Sequence, residues 1–383
     1  MTEILAQYLA TRARTEHLCA PLQVEDYIPQ AVEFTSPPKW HLAHSSWFFE
    51  TMILRKHLPG YRVFDDTYQF LFNSYYNNIG EQAARNQRGM ITRPGVAEVY
   101  KYRKYIDSSI SKLLSGTYDD EVRELLILGI NHEQQHQELL LTDLKYTLAL
   151  NPTFPVYDPG INLVNDENST NGWLNISEGI HDIGHQSDGF CFDHESARHR
   201  VFLHEFEISK SLITNGEYIE FIADGGYQEF HHWLDDGWSW INRENINNPL
   251  YWHKTDGNWF NFTLAGLQAV NANAILSHVS WYEAAAYASW KGCRLPTEFE
   301  WEAASDKLNW GKRWEWTGSA YLPYPGFKIT EGAVGEYNGK FMINQMVLRG
   351  SSVATAAGHS RKTYRNFFYP HSQWQFTGIR LAR

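Results

Sequence analysis

The chain has 383 residues, 33 Lys+Arg against 44 Asp+Glu, and a formal charge of −11. That balance argues against a protein that tracks nucleic-acid phosphates, and no apolar run approaches the ~20 residues of a membrane span. Three widely spaced cysteines, Cys19, Cys191 and Cys293, with no CxxC pair, suggest a reducing, cytoplasmic setting without a disulfide framework.

Four helical patterns fill the first 150 residues. The first runs from about Thr2 to Leu18 with Ile4, Leu5, Tyr8 and Leu9 on one face, and reads as an amphipathic helix and not a signal peptide. The second is expected to start at Ser36 as cap, with proline at the first helical position, and to stop at Pro59-Gly60. It carries Trp40, His41, His44, Trp47 and Phe48. The link from Phe64 to Ile91 is longer than a bundle loop needs, and such loops are usually functional. The third helix opens near Thr92-Arg93-Pro94 and reaches Leu114. The fourth spans about Glu121 to Leu150, capped by Asp119 or Asp120. Four amphipathic helices suggest a bundle with a site in its core.

The fourth helix contains Asn131-His132-Glu133-Gln134-Gln135-His136-Gln137-Glu138. Histidines four apart share one helix face, with Cβ atoms roughly 5–6 Å from each other. Leu125, Leu128, Leu139 and Leu140 flank them, so the pair points into a core. A buried imidazole needs a partner, and a metal ion is one. His44 can supply a third imidazole from the second helix, and His41 lies on a neighbouring face. Read literally, His132 to His136 is also the HExxH of zinc peptidases, with Glu133 as general base. The extension of that motif is absent, since Leu139 and Thr142 stand where Gly and His belong. The plain reading of Glu133 is a solvated or capping charge. Glu138 lies well round the helix from both histidines and suits a hydrogen bond between helices better than a metal.

Composition shifts at Asn151-Pro152-Thr153-Phe154-Pro155, where three prolines within eight residues (152, 155, 159) and Gly160 end the helical regime. Beyond Asn171 come short strands, irregular loops and helices at Thr214–Ala223, with Asn215 as possible cap, and Trp281–Lys291. This half reads as α+β. Its segments Thr214-Asn215-Gly216-Glu217-Tyr218, Val279-Ser280-Trp281-Tyr282-Glu283-Ala284, Gly292-Cys293-Arg294-Leu295-Pro296-Thr297-Glu298-Phe299-Glu300-Trp301-Glu302 and Gly378-Ile379-Arg380-Leu381-Ala382 resemble the sulfatase-modifying-factor fold, a C-type-lectin variant. A formylglycine-generating enzyme needs paired cysteines near its C-terminus, and none follows Cys293.

The first 150 residues resemble a DinB-like four-helix bundle. Trp40-His41-Leu42-Ala43-His44, His132-x-x-x-His136-x-Glu138 and the modifying-factor segments together resemble the sulfoxide synthases of ergothioneine biosynthesis over nearly the whole chain. The resemblance implies an α+β protein of two domains: 1–150, a DinB-like bundle with an iron site, and 151–383, a formylglycine-generating-enzyme-like domain completing the substrate pocket. It implies Fe(II) on His44, His132 and His136, O2 as co-substrate, and joining of cysteine sulfur to C2 of hercynine with oxidation to the sulfoxide. Iron suits O2 chemistry better than zinc. Gln135 matches the glutamine that bonds hercynine. Tyr75 and Tyr76 match a tyrosine-bearing loop, where a phenol donates a proton or hydrogen atom. Asn366, Phe367 and Phe368 match the C-terminal site segment, whose aromatic wall suits a trimethylammonium group.

Relatives that take γ-glutamylcysteine read Asn-Trp-Asp in that segment. With Phe368 at the last place, the match favours free cysteine, whose carboxylate Arg88 or Arg93 can hold unless both are surface charges. The partners expected are thus small molecules, with neither nucleic acid nor membrane. The alternatives are a zinc-peptidase-like or non-catalytic metal-binding module and, within the class, an ovothiol- or selenoneine-type synthase.

Overall fold

The structure, a computed structural model, describes residues 2–74, 80–161, 163, 171–196, 198–329 and 338–383. It divides into two compact units, Met1–Tyr157 with Thr355–His359, and Asp158–Ala354 with Ser360–Arg383.

The first unit is built on α1 (Glu3–Cys19), α2 (Pro38–Phe49), α3 (Val96–Leu114) and α4 (Asp120–Ala149). Helix α1 packs on α4, and α2 packs on both α3 and α4. All twelve residues of α2 are buried, so it is the central helix and not an amphipathic surface one. It runs on through a π-helical turn, Glu50–Leu54, into Arg55–His57. Buried Glu50 accepts from the hydroxyls of Tyr61 (2.5 Å) and Tyr102 (2.6 Å) and the Phe64 N–H (3.1 Å), which ties the wide turn to α3 and to the following loop. Asp119 caps α4 by accepting from the Val122 N–H at 3.0 Å. Ser36, expected to cap α2, does not. The helix starts at Pro38 with Pro37 in the cap position, and the Ser36 N–H goes to the Asp143 carboxylate at 2.7 Å. Two prolines leave few orphan N–H groups at this end, so the cap has little to satisfy.

The core of the bundle is polar at one level. Arg12 of α1 and Arg103 of α3 converge on Glu133 of α4, at 2.9 and 3.0 Å, with Thr15 donating to the same carboxylate at 2.7 Å. Arg103 and Glu133 have no solvent exposure and Arg12 has 2%. The expectation of a solvated or capping Glu133 is therefore corrected. Burial alone would raise its pKa, but Arg12 and Arg103 hold it down at about 2.

The second unit holds short antiparallel pairs: β1 (Trp173–Ile176) with β4 (Phe206–Ser209), β2 (Gly179–Ile183) with β3 (His199–Leu203), and the meander β5 (Trp252–Thr255), β6 (Asn258–Thr263), β7 (Gly266–Ala269). A four-stranded sheet has the order β10 (Asn366–Phe368), β9 (Met346–Gly350), β8 (Trp314–Ala320), β11 (Thr377–Gly378), with β11 parallel to β8. Helices α5 (Asn215–Ala223), α6 (Asp235–Glu244), α7 (Trp281–Trp290) and α8 (Glu298–Ala304) complete it. Thr214, not Asn215, caps α5, in a reciprocal pair with Glu217.

The long motif of this unit is structural. Thr297 caps α8 with Glu300, which also takes both arms of Arg294 at 2.7 Å. Glu298 binds buried Arg365 at 2.8 and 2.9 Å, and Glu302 pairs with buried Arg349. Trp301 sits in the core with Ile176, Leu203, Phe206 and Ile208 and donates to Glu315, the partner of Arg380. Each carboxylate of the run satisfies a cation or a cap that would otherwise be left unpaired. Among the described residues, no helix is long and apolar enough to cross a membrane.

Candidate metal centre

His44 on α2 and His132 and His136 on α4 place one nitrogen each within 4.8 Å of one another. His44 Nε2 and His132 Nε2 lie 3.2 Å apart. His44 Nδ1 is 2.6 Å from the Phe72 carbonyl. A carbonyl only accepts, so Nδ1 carries the proton and the Nε2 lone pair faces the other two rings. Trp40 and Trp47 stack on His44 from both sides, at 4.4 and 5.5 Å and 14° each, and Phe48 stacks on His132 at 4.8 Å. Gly129, one turn before His132, lets the Phe48 and Phe49 rings approach α4, because a Cβ there would collide with both.

All three imidazoles are neutral at pH 7. Burial, then His132, holds His44 well below the ordinary value. Burial, then His132 and His44, does the same for His136. Burial lowers His132 to about 4, against the pull of Glu133. Three neutral nitrogens at this spacing, two of them fully enclosed, are a donor set for a borderline divalent metal such as iron or zinc. The residues fit a metal.

His41, the alternative third ligand, is outside this set. Its Nδ1 lies 2.9 Å from His136 Nδ1 and its Nε2 3.2 Å from Asp143 Oδ2. Arg88 is buried, not a surface charge. Its guanidinium carbon lies over Trp40, 3.4 Å from the ring centroid, and the group donates to Ser36 Oγ and Ser74 Oγ at 2.8 Å each. Arg93 is exposed and donates to its neighbour's carbonyl, Thr92, so the structure does not bring it to the histidines. Gln135 is half-buried beside His136 on α4. Glu138, expected to bond between helices, accepts at 2.8 Å from Thr355, which lies on no helix. The HExxH glutamate is spent on Arg12, Arg103 and Thr15, which leaves Glu133 unable to serve as a general base.

Tyr75 and Tyr76 lie outside the described residues. The loop leading to them is anchored at the centre by the Phe72 carbonyl on His44 and by Ser74 on Arg88. Asn366, Phe367 and Phe368 form β10 in the second unit. Phe367 stacks on Tyr321 at 4.1 Å and 11°, and Phe368 meets Trp374 edge-on at 5.1 Å. Asn366 Oδ1 accepts from the Phe367 N–H. Sequence reasoning missed the Arg12–Glu133–Arg103 knot and the His41–Asp143 pair. The seven-residue step from His136 to Asp143, two turns on one face, was the available signal for the latter.

Three histidines that could hold a metal converge in a helical bundle, on a chain that continues into a strand-rich second unit. Residues 162–313 match the sulfatase-modifying factor enzyme 1-like domain. The hercynine oxygenase of Mycolicibacterium smegmatis is 29% identical over 308 residues, covering 67% of this chain and 70% of that one. The hercynine oxygenase of Mycobacterium tuberculosis is 26% identical over 99% of this chain and 98% of its own length. Ergothioneine biosynthesis protein 1 of Schizosaccharomyces pombe is 24% identical over 51% of this chain and 28% of its own. The chain is similar to hercynine oxygenases over nearly its whole length, and it is an enzyme of the oxygenase type.

Proposed function

We propose that the protein is a sulfoxide synthase of ergothioneine biosynthesis, which joins cysteine to hercynine with O2 at an Fe(II) held by His44, His132 and His136. The observation that carries this reading is the convergence of three neutral, aromatic-walled imidazoles within 4.8 Å, on a chain similar to hercynine oxygenases. Iron, when bound, supplies the redox chemistry that O2 requires and that zinc lacks. The overall reaction balances without a further reductant. The hercynine C2–H and the cysteine S–H each lose a hydrogen, one oxygen atom of O2 leaves with both as water, and the other stays on sulfur.

The chain's own groups have separable tasks. The Phe72 carbonyl fixes the tautomer of His44, and Trp40 and Trp47 fix its ring plane. Arg88 offers a buried guanidinium for the cysteine carboxylate, exchanging its serine partners for the stronger charge-assisted bond. Gln135 is assigned to the hercynine imidazole, and Tyr75 or Tyr76 to proton delivery. Asn366, Phe367 and Phe368 are assigned to the trimethylammonium end, where an aromatic wall attracts a cation.

Free cysteine is the expected thiol. Phe368 stands where dipeptide-using relatives carry Asp, and a phenyl ring cannot pair the extra ammonium of γ-glutamylcysteine. An unpaired charge at that place costs about 1–3 kcal/mol, or about tenfold to hundredfold in kcat/KM. The test is an aerobic assay with Fe(II), hercynine and either thiol, read by mass spectrometry. A hercynine–cysteine sulfoxide formed only with iron supports the reading. Substrate-independent O2 consumption with no coupled product overturns it, and a dipeptide kcat/KM equal to that of cysteine overturns the thiol assignment alone.

A further inference from the structure

We infer that His41 and Asp143 are positioning residues that lock His136 in its metal-binding tautomer. The inference rests on the assignment of His44, His132 and His136 as ligands. His136 Nδ1 and His41 Nδ1 are 2.9 Å apart, and His41 Nε2 is 3.2 Å from Asp143 Oδ2. A carboxylate oxygen accepts, so the Asp143 contact holds a proton on His41 Nε2, and the tautomer with that proton leaves Nδ1 bare. Its Nδ1 is then an acceptor and receives the Nδ1–H of His136. That leaves the His136 Nε2 lone pair free to bind a metal, the state its neighbours in the cluster require. The chain of donors runs one way only: His136 to His41 to Asp143.

The line is held at its far end. Asp143 Oδ2 also accepts the backbone N–H of Ser36 at 2.7 Å, just before α2 begins. His41 and Asp143 have 1% and 3% exposure, so water does not compete for these bonds. The same Ser36 receives Arg88 on its hydroxyl. The residue assigned to the thiol's carboxylate and the ring that holds the metal are thus fixed to one strut at the head of α2. Partners of this kind orient a ligating imidazole and raise its basicity, and their loss costs about 10–100-fold in metal affinity.

The test titrates metal-free protein with Co2+, followed by d–d absorption, which reads affinity and ligand geometry without turnover. His41→Phe fills the space but removes both bonds. His41→Asn keeps an acceptor where Nδ1 stood but loses the link to the carboxylate. Asp143→Asn weakens only the far end. The expected result is a Kd raised about 10–100-fold in His41→Phe, with smaller rises in the other two and a shifted d–d band throughout. Wild-type affinity and spectrum in His41→Phe overturn the proposal. If that variant does not fold, wild-type values in both His41→Asn and Asp143→Asn overturn it equally. His136→Ala separates the two levels of inference, because full Co2+ affinity there refutes the ligand assignment itself.

Discussion

Glu133 shows how much one residue's role depends on what reaches it from elsewhere in the chain. In sequence it sits in an HExxH run and invites a peptidase reading. In the structure it is the only carboxylate, among the described residues, that Arg12, Arg103 and Thr15 share. Replacing it by Gln removes the one fully buried carboxylate of two buried guanidinium groups, and leaves them the partly exposed Asp107 and Glu16. Breaking a buried pair on one side costs about 3–5 kcal/mol. Glu133→Gln should therefore lower the urea midpoint of the metal-free protein strongly, whereas a general-base role would lower turnover at unchanged stability. Tyr75 and Tyr76 give the opposite kind of test. Phe at the proton-donating position should depress sulfoxide formation by about 10²–10⁴-fold with metal binding intact. Wild-type rates in both single variants refute the assignment.

At the scale of elements, α2 and α4 make the centre, and their close approach depends on Gly129. An Ala there would gain about 1 kcal/mol of helix propensity. Its Cβ would stand inside van der Waals distance of the Phe49 ring, 2.9 Å from Cζ, and 3.0 Å from Phe48 Cε1. Phe49 cannot swing away, because it is 1% exposed and packed edge-on against Tyr8 at 4.9 Å. Overpacking of this sort costs about 1–3 kcal/mol, so the clash wins. Gly129→Ala should lose net stability and also weaken metal binding, since α2 carries His44 and α4 the other two imidazoles. A gain in melting temperature would refute this account.

The same pair of helices marks where sequence reasoning reached and where it stopped. The i, i+4 spacing of His132 and His136 is a local property, and so is the Asp119 cap. His44 was selected through the Leu-Ala-His element of the family, and the geometry then separates it from His41. The all-round burial of α2 was not legible, because its polar residues find partners far along the chain: the Ile91 carbonyl for Lys39, Asp143 on α4 for His41, Arg103 on α3 for Ser45 and Arg12 on α1 for Ser46. Ser36 failed as a cap for the same reason: a carboxylate 107 residues away takes its N–H. The carboxylates of the Arg294–Glu302 run could be recognised as a motif but not explained, since Arg349 arrives from β9 and Arg365 from just before β10.

At the scale of the whole molecule, both units bury neutral histidine, and this makes stability depend on pH. His44, His132 and His136 are held low in the first unit. His194 in the second is held low by burial and then by Arg365 and Arg361. An unfolded chain would protonate all four near pH 6.5. The folded chain does not do so until the pH falls much further, to about 4 for His132. Between those values the unfolded state binds more protons, so stability is full above about 6.5 and declines as pH falls towards 4. Glu133, held at about 2, extends the decline, because its contribution is complete above the ordinary carboxylate value and is lost only as pH falls towards 2. The metal-free protein should therefore show a melting temperature that is flat from pH 8 to 7 and drops progressively from 6.5 to 4.5. Protons and metal compete for the same nitrogens, so added Fe(II) under anaerobic conditions should raise the melting temperature most at pH 7.5 and least at pH 5. A pH-independent melting temperature would refute the assignment of buried neutral imidazoles. A metal effect equally large at pH 5 and 7.5 would show that the stabilising ion is held by groups other than the three histidines.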